Sequence, residues 1–189
     1  KKAKEENYRS RATYKLSQAI DRYHFIKFGN VVVDLGAAPG GWIQAARKST
    51  TKKGFVLGVD LKPIAPFEQA YIRTIVLDMT EPGAVEQILS FLPGKADVVL
   101  SDMSPNISGV WEVDHARQID LATEALNTAL QILCEHGNFF TKVFEGDLVN
   151  DFIEKVKEHF EEVKLVKPPA SRSKSSEMYV LALDMRAHD

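Results

Sequence analysis

Short apolar runs alternate with amphipathic stretches along most of this chain of 189 residues. The runs are rich in Val, Ile, Leu and Phe, which is typical of strands buried on both faces of a sheet. They predict seven strands, at residues 31–35, 55–60, 72–77, 96–100, 139–144, 163–166 and 178–183. Apolar positions at helical spacing predict helices at residues 10–23, 40–48, 81–91, 115–134 and 148–159. This alternation predicts an α/β fold with a mostly parallel seven-stranded sheet, an antiparallel edge strand and helices on both faces.

The first predicted strand runs into a glycine-rich turn, DLGAAPGGW at residues 34–42. Glycines let the backbone bend sharply and approach a bound molecule closely. The turn lacks the second glycine of the dinucleotide fingerprint and the Gly-Lys-Ser/Thr ending of a phosphate loop. Its D-x-G-x-x-x-G spacing resembles the turn of S-adenosylmethionine (SAM) methyltransferases, and Asp60 ends the next strand, where an acid can bind ribose hydroxyls. The turn therefore predicts a SAM site, although glycines also occur in strand–helix turns that bind nothing.

Acidic residues stand at or near the ends of four successive predicted strands: Asp34, Asp60, Asp78 and Asp102. Lys142 stands near the end of the following strand. Ligands bind beyond the carboxyl ends of the strands in open α/β sheets, so we expect these five side chains to converge there. Each acid taken alone is equally consistent with a helix cap or a turn residue. An unpaired ammonium group in the apolar strand around Lys142 would be costly, which predicts a partner for it.

The distribution of charge points to a phosphate-bearing partner, although the formal net charge of −2 does not. Residues 1–28 hold eight Lys or Arg against three Asp or Glu, and residues 164–178 hold four against one. Two basic segments on an otherwise acidic body predict a nucleic-acid face, with residues 1–28 as a basic N-terminal RNA-binding segment. Ordinary solvated charge is the alternative for each segment alone.

Length and composition narrow the class further. A chain of this size is expected to form a single domain over residues 1–189. Its one cysteine, Cys134, is expected on the apolar face of the fourth helix, and the lack of a disulfide partner predicts a reducing compartment, the cytoplasm. No apolar run approaches membrane-spanning length, and the five histidines lack ligand spacing, so neither a membrane nor a metal partner is predicted. Because the chain begins with Lys1, we expect the full protein to carry residues before it.

Five motifs occur in the predicted strand and helix contexts. They are YRSRATYKL at 8–16, the turn at 34–42, SDMSPNISG at 101–109, TKVFEG at 141–146 and RSKSSEMY at 172–179. In their order and spacing the chain resembles the FtsJ/RrmJ family of SAM-dependent RNA 2′-O-ribose methyltransferases over nearly its whole length. The resemblance implies a Rossmann-like SAM methyltransferase fold and SAM as the cofactor.

The resemblance also implies a catalytic tetrad of Lys15, Asp102, Lys142 and Glu177. A ribose 2′-hydroxyl is a poor nucleophile until its proton is partly removed, and a lysine can act as base only if its pKa falls toward neutrality. We hypothesise that Lys142 is the base or positions the hydroxyl, and that Lys15 lowers its pKa. Asp102 would orient Lys142 near the methyl donor, and Glu177 would bind Lys15 or the substrate ribose.

By the same resemblance, Gly36, Gly40, Gly41 and Trp42 shape the cofactor pocket together with Asp34 and Asp102, and Trp42 is nearly as consistent with a packing role. Asp60 would bind the SAM ribose and Asp78 the adenine amino group. RNA would lie across the N-terminal helix and the loop before the last strand, with phosphate contacts to Arg9, Arg11, Arg172 and Lys174. Gln18 stands where the family commonly has a carboxylate, so that position is expected to be dispensable.

The predicted function is methyl transfer from SAM to a ribose 2′-hydroxyl of RNA. The expected target is a uridine of large-subunit ribosomal RNA, either as naked RNA or in the assembled subunit. Four alternatives stay open: 2′-O-methylation of the tRNA anticodon loop, RNA cap methylation, a non-catalytic RNA-binding assembly factor, and a small-molecule methyltransferase on the same fold. The small size of the chain argues against cap methylation, and the tetrad argues against the assembly factor. The basic segments with Lys15 argue against the small-molecule enzyme.

Overall fold

The computed structural model describes residues 6–188. The described helices are α1 Ala12–Tyr23, α2 Gly41–Thr50, α3 Ala84–Ser90, α4 Trp111–Ile132 and α5 Val149–Lys157. The strands are β1 Val31–Leu35, β2 Phe55–Asp60, β3 Ile72–Val76, β4 Ala96–Ser101, β5 Leu133–Phe144, β6 Phe160–Val166 and β7 Glu177–Met185. The first five residues of the predicted RNA-binding segment lie outside the described part of the chain.

The strands form one sheet in the order β3-β2-β1-β4-β5-β7-β6. The pairs from β3 to β5 are parallel, whereas β7 pairs antiparallel with both β5 and β6. The predicted seven-stranded, mostly parallel sheet is therefore confirmed, with its antiparallel pairing at one end. The antiparallel strand β7 lies one position inside that end, because β6 occupies the outermost position.

Helices cover both faces of the sheet, as predicted. On one face, Leu16 of α1 and Ile43 of α2 pack with Val32 and Phe140 in one apolar cluster. On the other face, residues of α4 and α5 pack with the opposite side chains of the same strands, among them Val33 and Phe139. Alternate residues of each strand therefore enter different cores, which explains why the strand sequences are apolar at nearly every position.

The largest departure from the predicted boundaries lies between α4 and β5. Helix α4 begins at Trp111 and ends at Ile132, and the chain then turns extended at Leu133, which pairs with Ala96 of β4. Cys134 therefore lies in β5, not on a helix, where it is only partly buried and its thiol donates to Asp97 at 3.6 Å. Periodicity missed this because Ile132, Leu133 and Cys134 fit either element.

The topology brings the carboxyl ends of β1, β2, β4 and β5 to one edge of the sheet. Asp34 of β1 lies beside Gly58 of β2 and Leu100 of β4, and Ser101 lies beside Thr141 of β5. The turn after β1 is fastened to β2, because the Gly36 and Ala37 N–H groups both donate to the Val59 carbonyl. Among residues 6–188, no helix is both long and apolar enough to cross a lipid bilayer.

Candidate active site

Four side chains from distant parts of the sequence meet at this edge of the sheet. Lys15 comes from the first turns of α1, Asp102 follows β4, Lys142 lies in β5 and Glu177 begins β7. The Lys15 amine lies 3.1 Å from Glu177 Oε2, and the Lys142 amine lies 3.2 Å from Asp102 Oδ1 and 3.4 Å from Glu177 Oε1. Two ammonium and two carboxylate groups thus form a continuous chain, Lys15–Glu177–Lys142–Asp102, whose formal charges cancel.

Lys142 lies deepest in the cluster. Its side chain is 7% exposed, against 21% for Lys15. Besides the two carboxylates, its amine donates to the Ser104 hydroxyl at 2.8 Å and reaches the Asp102 carbonyl at 3.4 Å. A buried ammonium is tolerated only with such partners, and these also fix the direction in which the amine points.

The two carboxyl groups of the cluster respond differently to their surroundings. Burial raises the pKa of Asp102, although Lys142 and the Tyr179 hydroxyl counteract part of that rise. Burial alone would also raise the pKa of Glu177, but the charges of Lys142 and Lys15 outweigh it and lower the pKa of that carboxyl below its usual value. Glu177, placed between two lysines, is therefore held as a carboxylate.

The sequence reasoning missed two residues of this cluster. Tyr179 is fully buried in β7, and its hydroxyl donates to Asp102 Oδ1 at 3.0 Å. Burial and the nearby carboxyls of Asp102 and Glu177 raise the pKa of Tyr179 far above its usual value, so it remains a donor. The strand periodicity could have indicated Tyr179, because this residue stands two positions after Glu177 and therefore lies on the same face of β7. Ser104 gave no such signal.

A basic groove leads to the exposed side of the cluster. The groove has a volume of about 260 Å³ and is lined by Arg11, Ala12, Lys15, Ala170, Arg172, Ser175 and Glu177. Lys15 stands in the first turn of α1, which contains no acidic residue. Cations at a helix N-terminus oppose the helix dipole, so this placement adds to the positive potential of the groove at a cost in helix stability. Anions are favoured at such a place.

A second cleft is lined by Asp102, at the other end of the chain of charged groups from Lys15. It has a volume of about 350 Å³ and is lined by Gly36, Ala38, Val59, Asp60, Leu61, Leu77, Asp78, Met79, Thr80, Asp102, Met103, Ser104 and Leu121. The lining combines apolar side chains with a few carboxylates, which is typical of sites for small organic ligands. Four of the predicted cofactor residues, Gly36, Asp60, Asp78 and Asp102, therefore share one cleft.

Three further predicted cofactor residues, Asp34, Gly41 and Trp42, lie around a smaller cavity. Asp34, Gly36, Gly41, Trp42 and Asp102 line this space of about 30 Å³. Both carboxyl oxygens of Asp34 are buried and lack a hydrogen-bond partner among the described residues. Burial raises the pKa of Asp34 well above its usual value, and the neighbouring carboxyls of Asp102 and Asp60 add to that rise. A buried acid without a partner fits a ligand that brings its own donor or positive charge.

Comparison with known proteins identifies the family to which this chain belongs. The family model described as FtsJ-like methyltransferase matches residues 8–185. The chain belongs to the FtsJ-like methyltransferase family. It is 51% identical over 180 residues to a Methanococcus vannielii protein, covering 95% of this chain and 70% of that protein. It is 50% identical over 185 residues to one from Methanocaldococcus jannaschii, covering 96% and 76%. Both relatives are named ribosomal RNA large subunit methyltransferase E.

Solved structures support the same fold. A putative ribosomal RNA methyltransferase from Plasmodium falciparum matches with a TM-score of 0.84 at 24% identity, covering 96% of this chain and all of that one. A SAM-dependent O-methyltransferase from Thermotoga maritima matches with a TM-score of 0.61 at 13% identity, covering 92% of this chain and 66% of that one. At these identities the likeness shows that the FtsJ-like chain has the SAM methyltransferase fold.

Trp42 and Gly40 of this FtsJ-like methyltransferase also contribute to packing around the turn. Trp42 is 3% exposed, donates from Nε1 to the Ala12 carbonyl at 2.8 Å and stacks on Phe140. Its indole therefore fastens α1, and with it Lys15, to the glycine-rich turn. Gly40 has a φ of 116°, which favours glycine, and a side chain there would meet Phe67 and Arg9.

The predicted RNA-binding residues fall into two groups. Arg11 and Arg172 are exposed in the basic groove, and Lys174 is exposed in the same loop as Arg172. The guanidinium of Arg9 instead donates to the carbonyls of residues 39, 65 and 66 and lies 3.7 Å from the centre of the Phe67 ring. These contacts use three of the five guanidinium N–H donors, so they favour a structural role for Arg9.

Gln18 has a contact that the sequence did not reveal. Its Oε1 accepts from the Ala170 N–H at 2.6 Å, which ties the loop before β7 to α1. The Lys167 amine closes the same loop by donating to the Ser175 carbonyl at 2.8 Å. Residues 6–188 contain no group of three or more His, Cys, Asp or Glu side chains placed to hold a metal ion.

Proposed function

We propose that the protein transfers the methyl group of SAM to a ribose 2′-hydroxyl of RNA, and that its target is a uridine of large-subunit ribosomal RNA. One observation carries the proposal: the four charged residues lie between two clefts. Asp102 lines the cleft with the glycine turn, whereas Lys15 and Glu177 line the basic groove. A methyl donor on one side and an RNA strand on the other would meet at Lys142.

The glycine-turn cleft fits SAM in its chemistry. Asp60 and Asp78 would accept hydrogen bonds from the ribose and the adenine amino group, between apolar walls that include Leu77 and Met103. Asp34, buried without a partner, would pair with the ammonium group of the methionine part. A side chain at Gly36, where φ is 73°, would collide with Met103, so the turn can pass close to a ligand only as glycine. When bound, SAM supplies an electrophilic methyl group on a sulfonium.

The cluster would prepare the 2′-hydroxyl for attack. Lys142 would first release its own proton to solvent, and the resulting amine would accept a hydrogen bond from the hydroxyl and take its proton as the new O–CH₃ bond forms. Asp102, held by Tyr179, and Ser104 would keep the Lys142 nitrogen directed at one point. Lys15 and Glu177 would hold the ribose from the groove side. Alignment of the oxygen with the S–CH₃ bond is the main requirement of this reaction, and this arrangement supports it.

The basic groove would bind the phosphates next to the target. Arg11 immediately precedes α1 and Arg172 lies in the loop before β7, and both line the groove, so a strand in the groove would meet both guanidinium groups. Lys174 adds charge at the rim. The relatives' names support ribosomal RNA of the large subunit as the substrate. We place this single domain in the cytoplasm, which accords with its one cysteine being free.

Methyl transfer from labelled SAM to three RNA pools tests the proposal. The pools are large ribosomal subunits, naked ribosomal RNA and tRNA, each incubated with wild type and with Lys142→Met. Label on ribosomal RNA in either form, lost in the variant, is the expected result. Label on tRNA alone would move the protein to tRNA ribose methylation. Binding of SAM and RNA without label in any pool would contradict the assignment as an enzyme and favour an assembly factor.

A further inference from the structure

The edge of β5 that carries Lys142 loses its strand partner just before this residue. Strand β4 ends at Ser101, which pairs with Thr141, while β5 continues to Phe144 with β7 alone on its other side. Backbone groups of residues 142–144 that face the vacated side are buried and need other partners. Strand β4 ends here because the chain turns away to bring Asp102 and Ser104 to the Lys142 amine.

Gln118 of α4 occupies the vacated side. Its Nε2 donates to the Lys142 carbonyl at 2.7 Å, and its Oε1 accepts from the Phe144 N–H at 2.8 Å. The side-chain amide thus makes the two bonds that the N–H and C=O groups of one residue of a longer β4 would make. Gln118 is 1% exposed. Among residues 6–188, one other side chain donates to the Lys142 carbonyl, the Thr141 hydroxyl, at a longer distance of 3.3 Å.

The helix around Gln118 is itself fastened to both neighbouring loops. Asp114 accepts from the Ser108 N–H at 2.8 Å, in the segment that follows Asp102. His115 Nε2 accepts from the Leu148 N–H at 3.1 Å, in the segment that follows β5. The first two turns of α4 are therefore bonded to the segments that follow β4 and β5. These bonds fix the position of Gln118 relative to the backbone around Lys142.

We propose that Gln118 is a positioning residue for Lys142. By completing the ladder where β4 stops, it fixes the backbone from which the Lys142 side chain reaches the 2′-hydroxyl. This inference rests on the proposed catalytic role of Lys142. The Gln118 amide donates to the Lys142 carbonyl and accepts from the Phe144 N–H at once. Methionine does neither, and an ionised carboxylate only accepts.

The test compares Gln118→Met and Gln118→Glu with wild type under single turnover at saturating SAM and RNA. Gln131→Met is the control, because Gln131 is exposed on the same helix and bonds only within it, to the Asn127 carbonyl. We expect Gln118→Met to slow methyl transfer by about 10- to 100-fold, since displacing a reacting group by about 1 Å costs that much. The Kd for SAM should stay within about threefold, and the control should keep the wild-type rate.

Gln118→Glu supplies a readout that a merely structural role would not move, and it covers the case in which Gln118→Met does not fold. Its rate divided by the wild-type rate should rise as the pH is lowered, because the protonated carboxyl again donates to the Lys142 carbonyl. Wild-type rates in the folded fraction of both variants would overturn the inference, as would a rate ratio independent of pH. Lys142→Met runs in parallel: if it too keeps the wild-type rate, the catalytic assignment fails and not only the role of Gln118.

Discussion

The buried acid at the cofactor turn makes a quantitative prediction about stability. Asp34 is 1% exposed, and its oxygens have no hydrogen-bond partner among the described residues. Burial, with the carboxyls of Asp102 and Asp60, raises its pKa well above the usual 3.8. The folded protein without ligand therefore keeps Asp34 protonated at pH values where the unfolded chain has already ionised it. We predict that Asp34→Asn stabilises the ligand-free protein at neutral pH.

The magnitude follows from proton linkage. Between the unfolded and the folded pKa of Asp34, the folded state binds one proton more than the unfolded state, so the free energy of unfolding falls as pH rises. The slope contributed by this one group is at most about 1.4 kcal/mol per pH unit. Asparagine has no such slope. We therefore compare the free energy of unfolding of Asp34→Asn with that of wild type as a function of pH. The difference is constant below the usual pKa of Asp34, rises with pH at up to this slope between the usual and the folded pKa, and is constant again above the folded pKa.

Urea unfolding of the ligand-free protein from pH 4 to 8 measures this difference, with Trp fluorescence as the signal. The pKa of His136 is raised mainly by its hydrogen bond to Asp184, so His136 also makes stability depend on pH. Subtracting the wild-type stability from that of the variant at each pH cancels this contribution, because both proteins contain His136. Asp78→Asn is the matched control. Hydrogen bonds from Thr80 lower the pKa of Asp78, so the stability that this carboxylate contributes is complete above the usual pKa and is lost only as the pH falls through the lowered pKa. The difference for Asp78→Asn should therefore stay flat from about pH 5 to 8. A difference for Asp34→Asn that stays flat over this pH range would refute the reasoning.

Four further predictions concern the cluster and the groove. Lys142→Met should slow single-turnover methyl transfer by about 10²- to 10⁴-fold, the usual contribution of a general base, with little change in the calorimetric Kd for SAM. Tyr179→Phe removes the hydroxyl that donates to Asp102 and should lower the same rate by about 10- to 100-fold, because hydrogen bonds to charged groups contribute about 1.5–3 kcal/mol. Arg11→Ala and Arg172→Ala should each raise the KM for RNA more than they lower kcat, and each should reduce the salt dependence of RNA affinity by about 0.7 in log–log slope for a single-stranded contact. Arg9→Ala should lower the melting temperature of the protein while changing RNA affinity less than Arg11→Ala does, since its guanidinium contacts backbone carbonyls.

Each of these predictions has a contradicting outcome. A wild-type rate in Lys142→Met would contradict the role of Lys142 as the base. A wild-type rate in Tyr179→Phe would show that the Tyr179 hydroxyl is not needed to position Asp102. An unchanged salt slope in both groove variants would place the RNA elsewhere. A large loss of RNA affinity in Arg9→Ala with an unchanged melting temperature would restore the phosphate-binding role that the sequence predicted for it.

The site was largely predictable where it follows from strand ends. Parallel strands finish at one edge, so Asp34, Asp60, Asp102 and Lys142 had to approach one another once the sheet was predicted. The placement of Lys15 and Glu177 in the same site was predicted from the sequence motifs that contain them. Periodicity alone does not bring the start of α1 beside the start of β7, because that contact depends on how α1 packs over the sheet.

Other features depend on loops and on strand order, which local patterns do not contain. Arg9 is held by residues 65 and 66, in a connection whose path no periodicity describes. Strand β7 lies between β5 and β6, and this order places Tyr179 opposite Lys142. The sequence predicted only that the last two strands pair with each other. Gln118 looked like one more polar position on a helix, and only the early end of β4 reveals what its amide does.

The position of the transferred methyl group tests the central claim most directly. Large ribosomal subunits or their naked RNA would be methylated with labelled SAM, digested to nucleosides and analysed by mass spectrometry, with Lys142→Met beside wild type. The account predicts one modified nucleoside whose label resides on the ribose, at the 2′-oxygen, and none in the variant. A label on a base, or a ribose label of equal yield in Lys142→Met, would contradict the placement of the reaction between the glycine-turn cleft and the basic groove.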